Sequence, residues 1–315
     1  MKKCFVGFDT SNYTTSAAVC SYDGEIVANL KFPLRVKSGE CGLRQSDAVF
    51  AHVKNLPELT ARLAEVLKQG YEPLAVGVSS KPRDAEDSYM PCFLAGVAAA
   101  NSFAAAADIP VLPFSHQNGH IMAAAYSSGH ADKLLTGEFI AFHVSGGTTE
   151  ALLVKPFGNT IKTELVGATL DLNAGQVIDR VGVALGLDFP CGARLESLAL
   201  EYRGRIPKPR ISVKNGYCNL SGLENMALGL YGKEKDASAT AAFVFEFIRR
   251  TLAEMCRQIM DKYGSMPVLF GGGVMSNTYM RNDIRQSFEA YFSAPEFSAD
   301  NAAGIALLCR KEYLS

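Results

Sequence analysis

His116 and His120 stand four residues apart in the stretch "PFSHQNGHIMAAA", residues 113–125. If the stretch is helical, both imidazoles fall on one face. Two imidazoles at that spacing are a way to bring nitrogen donors to one metal ion. The zinc-protease signature places a glutamate directly after the first histidine as general base. Here that position is Gln117, which cannot take a proton, so hydrolysis by a metal-bound water is disfavoured.

Three Ser/Thr/Gly-rich stretches are candidates for holding a phosphorylated ligand. The first, "GFDTSNYTTS" at 7–16, contains Asp9, Ser11, Thr14 and Thr15. The second, "VSGGTT" at 144–149, contains Ser145, Gly146 and Gly147. Glycine at such a tip lets backbone N–H groups approach an anion with no Cβ in the way. The third, "PVLFGGGVMSN" at 267–277, is an apolar strand followed by Gly271, Gly272 and Gly273. A glycine triplet serves equally as an ordinary tight turn. No Walker loop occurs in the chain.

The elements around these turns show an internal repeat. Residues 5–20, "FVGFDTSNYTTSAAVC", align without a gap on residues 139–154, "FIAFHVSGGTTEALLV". Phe5/Phe139, Phe8/Phe142, Ser11/Ser145, Thr14/Thr148, Thr15/Thr149 and Ala17/Ala151 are identical. Two similar hairpins can arise by chance, but a duplicated strand–turn–strand unit accounts for the match along its length. A duplicated α/β unit with such a turn in each half describes the actin-like ATPase and sugar-kinase architecture, with a cleft between two related domains. The expected division is 1–112 for the first subdomain, joined by a C-terminal helix at about 301–315, and 113–300 for the second. Asp23-Gly24 marks a hairpin turn, and helical periodicity runs through residues 48–69 and 237–260. Residues 170–186 read as a helix capped by Asp171, with Asp179 beside its apolar stripe. Asp179 is either a solvated carboxylate or a partner for ligand hydroxyls. Asp300 precedes a C-terminal helix and could serve as its N-cap.

Composition limits the classes. The chain has 315 residues, 48 % of them hydrophobic and 20 % charged, with a net charge of −1. That balance suits a soluble protein with a real core and gives no overall signal for binding a polyanion. A local patch remains. "RGRIPKPRISVK" carries Arg203, Arg205, Lys208, Arg210 and Lys214, which is either a solvated loop or a phosphate-backbone contact. The eight cysteines include no C-x-x-C pair, which suits buried free thiols in a reducing cytoplasm. The N-terminus turns polar too early for a signal peptide. Residues 92–112, the most membrane-like stretch, read as a buried helix running into a strand.

Taken together the motifs resemble the tRNA N6-threonylcarbamoyladenosine synthase family, also known as the glycoprotease family and formerly as O-sialoglycoprotein endopeptidases. The similarity runs in order through "GFDTS", "HQNGH", "VSGGTT", "TLDLNAGQVIDRVGVALGLDFPCG" at 169–192, "LSGL" at 220–223, "GGGVMSN" and "ADNAAGIA" at 299–306. The resemblance implies the duplicated actin-like fold and one divalent metal ion, iron or zinc, on His116, His120 and Asp300. It implies an adenine nucleotide or adenylate at Ser145, Gly146, Gly147, Asp179, Gly192, Glu196, Gly272, Gly273 and Asn277. Ser11, Thr14 and Thr15 become candidates for a phosphate turn, and Asp9 and Ser11 for residues acting beside the metal. The family's activity moves a threonylcarbamoyl group from its adenylate to N6 of an adenosine in tRNA. Its usual partners are a paralogue of the same fold and a small ATPase, and it works in the cytoplasm without a membrane. The chain departs from the family at several places. Asn12, Tyr13 and Thr14 replace a C-D-E turn, Thr148 a histidine, Lys81-Pro82-Arg83 a G-P-G stretch and Glu224 a lysine. These departures mark a divergent member or paralogue. The alternative to transfer onto tRNA is a nucleotide- and metal-binding paralogue with another acceptor or a regulatory role. A kinase would leave the histidine pair unexplained, and a metallopeptidase lacks its base.

Overall fold

The apolar runs become central strands, and the alternation within them decides which helix covers which face. The computed structural model describes residues 1–11, 13–34 and 43–315. Asn12 of the first turn and Cys41 lie outside the described residues. In chain order the first part is β1 (Lys2–Thr10), β2 (Thr14–Ser21), β3 (Ile26–Pro33), α1 (Gln45–Leu67), β4 (Tyr71–Lys81), α2 (Phe93–Ala107), β5 (Val111–Ser115) and α3 (His116–Ser127). A short α4 (Ala131–Leu134) leads to β6 (Phe139–Val144), β7 (Thr149–Phe157) and β8 (Thr160–Ala168). Then follow α5 (Ala174–Ala184), α6 (Gly192–Glu201), β9 (Ser212–Lys214), β10 (Tyr217–Asn219), α7 (Ser221–Glu234) and α8 (Ala237–Tyr263). The chain closes with β11 (Val268–Gly271), α9 (Thr278–Ser287), β12 (Ala290–Phe292) and α10 (Ala303–Tyr313).

The repeat read from sequence is a repeat of topology. One sheet has the order β3-β2-β1-β4-β5 and the other β12-β11-β6-β7-β8, the same order read backwards. β1 pairs antiparallel with β2 through Phe5↔Cys20 and Thr10↔Thr15. β6 pairs with β7 through Phe139↔Val154 and Val144↔Thr149, the same register 134 residues on. β4 and β5 then add in parallel on one side, as β11 and β12 do in the other sheet.

By packing, the chain forms two units. Unit 1 comprises Met1–Ala131, Pro156–Thr163 and Glu296–Ser315; unit 2 comprises Asp132–Lys155 and Glu164–Pro295. In unit 1, Val6 and Phe8 of β1 and Val76 and Val78 of β4 pack against Leu59 and Leu63 of α1 and Ala100 and Ala104 of α2. The other face of that sheet is smoothed by glycine. Gly7 and Gly77 are register partners. A Cβ on Gly7 would stand 2.6 Å from Ala302 O, and one on Gly77 2.8 Å from Ile305 O. So α10 lies directly on the strands, and α3 lies on α10. A Cβ on Gly304 would stand 1.8 Å from Gly119 O. This contact explains why the packing division differs from the boundary at residue 112 expected from sequence. β5 ends at Ser115 and runs straight into α3, which packs in unit 1 through Gly119. In unit 2, Ile140, Phe142, Val144 and Phe270 of the sheet share one core with Val177 and Val181 of α5 and Phe245 of α8.

Several local expectations change. The helix expected at 170–186 starts at Ala174, and Gln176 Oε1 accepts from Asn173 N at 2.9 Å. Asp171 instead accepts from Leu220 N at 2.7 Å and Ser221 N at 3.2 Å, at the start of α7. Burial opposes charge on Asp171, but these bonds and the Ser221 hydroxyl outweigh it and hold the carboxyl well below the usual range. Residues 92–112 resolve into α2 and β5, and no described helix is long and apolar enough to cross a membrane. The seven described cysteines are buried and free, and burial pushes the thiols of Cys4, Cys20 and Cys218 up to about 12.

The α3–α10 crossing predicts a strong effect from one methyl group. Gly304→Ala forces apart two backbones and should destabilise unit 1 by about 3 kcal/mol or more. Gly137→Ala, with no atom within 4 Å of its added Cβ, should be neutral. Calorimetric melting of both variants measures the difference.

Candidate metal centre and nucleotide turn

The metal-ligand candidates come from two places in unit 1, helix α3 and the segment before α10. His116 and His120 occupy the first turns of α3, whose N-terminus is capped by Ser115 Oγ accepting from Asn118 N at 3.2 Å. Asp300 precedes α10. The capping alternative for Asp300 does not hold, because Ala302 is the N-cap and the Asp300 carboxylate bonds Ser11 and His120 instead. His120 Nε2 stands 3.0 Å and His116 Nε2 3.6 Å from the same Asp300 oxygen, Oδ1. One ligand atom from each of the three residues lies within 4.8 Å of the others. The two rings meet edge to face with centroids 4.4 Å apart, and Phe93 of α2 lies 5.8 Å from His116.

Asp9 and Ser11 complete the arrangement from the end of β1. Asp9 is fully buried, and both its carboxylate oxygens lie 3.1 Å from His116 Nδ1. A carboxylate only accepts, so Nδ1 carries the proton and Nε2 is the nitrogen left for a ligand. Ser11 Oγ donates to Asp300 Oδ2 at 2.8 Å, which leaves Oδ1 facing the histidines. Burial works against charge on His116, but the charge and hydrogen bond of Asp9, with Asp300 behind, raise it to about 9. Burial also opposes charge on Asp300. The His120 hydrogen bond, the charges of both histidines and the Ser11 hydroxyl outweigh it and hold the carboxyl well below the usual range. Two nitrogens and a carboxylate oxygen, with an acidic partner behind one ring, make a donor set suited to zinc or iron. Gln117 takes no part. Its Oε1 accepts from Thr163 Oγ1 at 3.2 Å.

The remaining first-turn candidates are both buried. Thr15 is fully buried, with its hydroxyl between His52 Nδ1 at 2.9 Å and Asn55 Nδ2 at 3.0 Å. Thr14 is buried at the start of β2. Sequence reasoning missed His52. Its signal was a lone histidine on the apolar stripe of α1, between Ala48 and Leu59.

The nucleotide candidates lie in unit 2, on the turns after β6 and β11 and on α5 and α6. Ser145 Oγ accepts from Gly147 N at 3.3 Å and Thr148 N at 3.1 Å, folding the second turn on itself. Gly146 and Gly147 have open space at their Cβ positions, as do Gly192 and Gly273. Gly175 of α5 packs on the turn, where a Cβ would stand 2.7 Å from Gly146 N. Gly272 has φ +91° and abuts Val144, so a side chain there is excluded twice over. Asp179 Oδ1 accepts from Cys191 N at 2.8 Å, just before α6. Glu196 Oε1 accepts from Thr278 N and Thr278 Oγ1, each at 2.7 Å, at the start of α9. Both acids therefore hold helix starts, Asp179 that of α6 and Glu196 that of α9. Asn277 caps α9 through Oδ1, and its buried Nδ2 donor has no hydrogen-bond partner. A buried donor without an acceptor is costly, which suits a ligand oxygen there. Arg203, Arg205, Lys208, Arg210 and Lys214 are exposed on the segment ending in β9. Among the described residues, Arg205, Lys208, Arg210 and Lys214 have no acidic partner within 4.0 Å. The departure Glu224 is matched by Arg180 at 2.9 Å, and Lys81 by Asp84 at 3.1 Å.

The model of the tRNA N6-adenosine threonylcarbamoyltransferase family matches residues 47–307. Several solved structures share the fold at low identity. HypF from T. kodakarensis matches with a TM-score of 0.59 at 14 % identity, over 99 % of this chain and 48 % of that one. A ROK family glucokinase from Streptomyces griseus, in complex with glucose and AMPPNP, gives 0.53 at 12 %, over 98 % and 99 %. The activator of 2-hydroxyisocaproyl-CoA dehydratase from Clostridium difficile, with bound ADPNP, gives 0.51 at 13 %, over 98 % and 95 %. The fold is thus the duplicated actin-like ATPase and sugar-kinase one expected from the repeat.

The Asp9–His116 pair predicts a titration. An unfolded histidine titrates near about 6.5, and the paired His116 at about 9. Its pairing therefore contributes stability that is complete below the unfolded value and is lost as pH rises through the folded one. In chelator-treated protein, NMR of the ring should place the His116 midpoint near the raised value, and Asp9→Asn should bring it down. A midpoint at the ordinary value with Asp9 intact would mean the pair does not form.

Proposed function

The chain belongs to the tRNA N6-adenosine threonylcarbamoyltransferase family, and on that premise we propose that it transfers a threonylcarbamoyl group from its adenylate to N6 of an adenosine in tRNA. The observation that carries the reading is the convergence of His116, His120 and Asp300 to within 4.8 Å, with Asp9 and Ser11 orienting them. These three residues are the proposed ligands of one divalent ion, iron or zinc. When bound, such an ion supplies Lewis-acid polarisation and a fixed template for the carbamoyl group. In the reaction the N6 amine adds to the carbamoyl carbon, its proton is lost and AMP leaves. The adenylate is an activated acyl donor, so no protein nucleophile is required.

The residues of the chain have separate tasks. Asp9 keeps the proton on His116 Nδ1, so that Nε2 remains the donor. Ser11 holds one oxygen of Asp300 so that the other is free to bind. In unit 2 the open tips at Gly146, Gly147, Gly192 and Gly273 let backbone N–H groups approach the adenylate phosphate. Asn277 Nδ2 would donate to a ligand oxygen, and Asp179 and Glu196 fix the helix starts around it. Arg203, Arg205, Lys208, Arg210 and Lys214 would meet tRNA phosphates. A same-fold paralogue and a small ATPase are the proposed partners, and the cytoplasm the place of action. The replaced acids of the first turn leave Asp9 in place beside the metal candidates.

The direct test incubates the zinc- or iron-loaded protein, with its partners, with threonylcarbamoyl-adenylate and unmodified tRNA, followed by nucleoside analysis. Modified adenosine is expected, and its formation should fall at least a hundredfold in His120→Ala. No product from the loaded protein would overturn the reading. Replacing Arg205, Lys208 and Arg210 together by Glu should weaken tRNA binding and flatten its salt dependence.

A further inference from the structure

We propose that His52 is a positioning residue of the metal cluster, fixing the main chain of Ser11 so that the Ser11 hydroxyl presents Asp300 to His116 and His120. The inference rests on the metal reading above and adds the element that holds it.

His52 lies on α1, fully buried, and each ring nitrogen has a defined partner. Nε2 is 2.8 Å from Ser11 O. A carbonyl oxygen only accepts, so Nε2 carries the proton. Nδ1, 2.9 Å from Thr15 Oγ1, is then the acceptor and the Thr15 hydroxyl the donor. The orientation of that hydroxyl is set in turn by Asn55 Nδ2, which donates to Thr15 Oγ1 at 3.0 Å. Burial, the largest influence, keeps the ring neutral against the Ser11 bond and the charge of Asp9. One tautomer therefore satisfies every group in the chain from Asn55 through Thr15 and His52 to Ser11. At its far end Ser11 Oγ donates to Asp300 Oδ2 at 2.8 Å.

The neighbours of His52 on the buried face of α1 are Ala48, Leu59 and Leu63. Helix packing alone would be met by an apolar side chain there, since a buried imidazole costs free energy unless both nitrogens are bonded. The bonds are directed at one target, the two ends of the first turn. A turn that is free to shift would carry the Ser11 hydroxyl away from Asp300. The carboxylate would then turn, and its Oδ1 would leave the histidines.

Zinc affinity of the whole chain, measured by competition with a chromophoric chelator, tests this. Thermal unfolding of chelator-treated protein is recorded separately. His52→Phe, which fills the space without hydrogen bonds, should weaken zinc binding by about ten- to a hundredfold. Ser11→Ala should do the same. The double variant should bind no more weakly than the weaker single variant, because both act through one contact. His52→Gln keeps a donor for Ser11 O and should restore affinity to within a few-fold of wild type. If His52→Phe fails to fold, Thr15→Val removes the hydroxyl that aligns Nδ1 and should give a smaller loss of the same sign. Wild-type affinity in His52→Phe or Thr15→Val overturns the proposal. So do losses from His52→Phe and Ser11→Ala that multiply in the double variant. Wild-type protein that takes up no zinc overturns the metal reading itself, and this proposal with it.

Discussion

The backbone contact between α3 and α10 governs unit 1. Gly119 directly precedes His120, and Gly304 follows Asp300 by four residues. A Cβ on Gly304 would stand 1.8 Å from Gly119 O, so the two helices cross with no side chain between them. That crossing brings residues 180 positions apart in sequence to a 3.0 Å hydrogen bond. The glycines at 7 and 77 serve the same end from below, letting α10 lie on β1 and β4. The cluster is thus a consequence of helices packed closer than ordinary side chains allow.

Electrostatics then makes the cluster self-consistent. Asp9 and Asp300 are both buried or nearly so, and an unpaired carboxylate in such a place costs several kcal/mol. Each is answered by an imidazole, and Asp300 by a hydroxyl as well. A divalent ion would replace the proton that now lies between His120 and Asp300. Two of the chain's departures from its family are likewise paired. Glu224 finds Arg180 and Lys81 finds Asp84, so neither change leaves a charge without an answer.

The two turns related by the internal repeat have diverged in their bonding. In the second, Ser145 Oγ accepts from N–H groups of its own turn, and the glycine tips stay open. In the first, the equivalent Ser11 donates to Asp300, and Thr15 is held by His52 and Asn55. An identical serine thus closes its own turn in one unit and bonds a carboxylate in the other. Identity of residue type did not fix the role, because hydroxyls donate or accept as their neighbours require.

The sequence by itself determined the duplicated strand–turn–strand units, the histidine pair on one helix face and the glycine tips. These follow from local periodicity and from the few residues that tolerate tight backbone. The resemblance carried Asp300, which spacing alone left open as a helix cap; its carboxylate bonds Ser11 and His120 instead. Tertiary structure alone decided the partners. It set Asp9 on His116 Nδ1, moved Asp171 to the start of α7, engaged Asp179 and Glu196 at helix starts and placed His52 beneath the first turn. Such hydrogen bonds join residues tens to hundreds of positions apart, and their direction depends on burial and on which neighbour can donate. A linear sequence records donors and acceptors but not which of them meet.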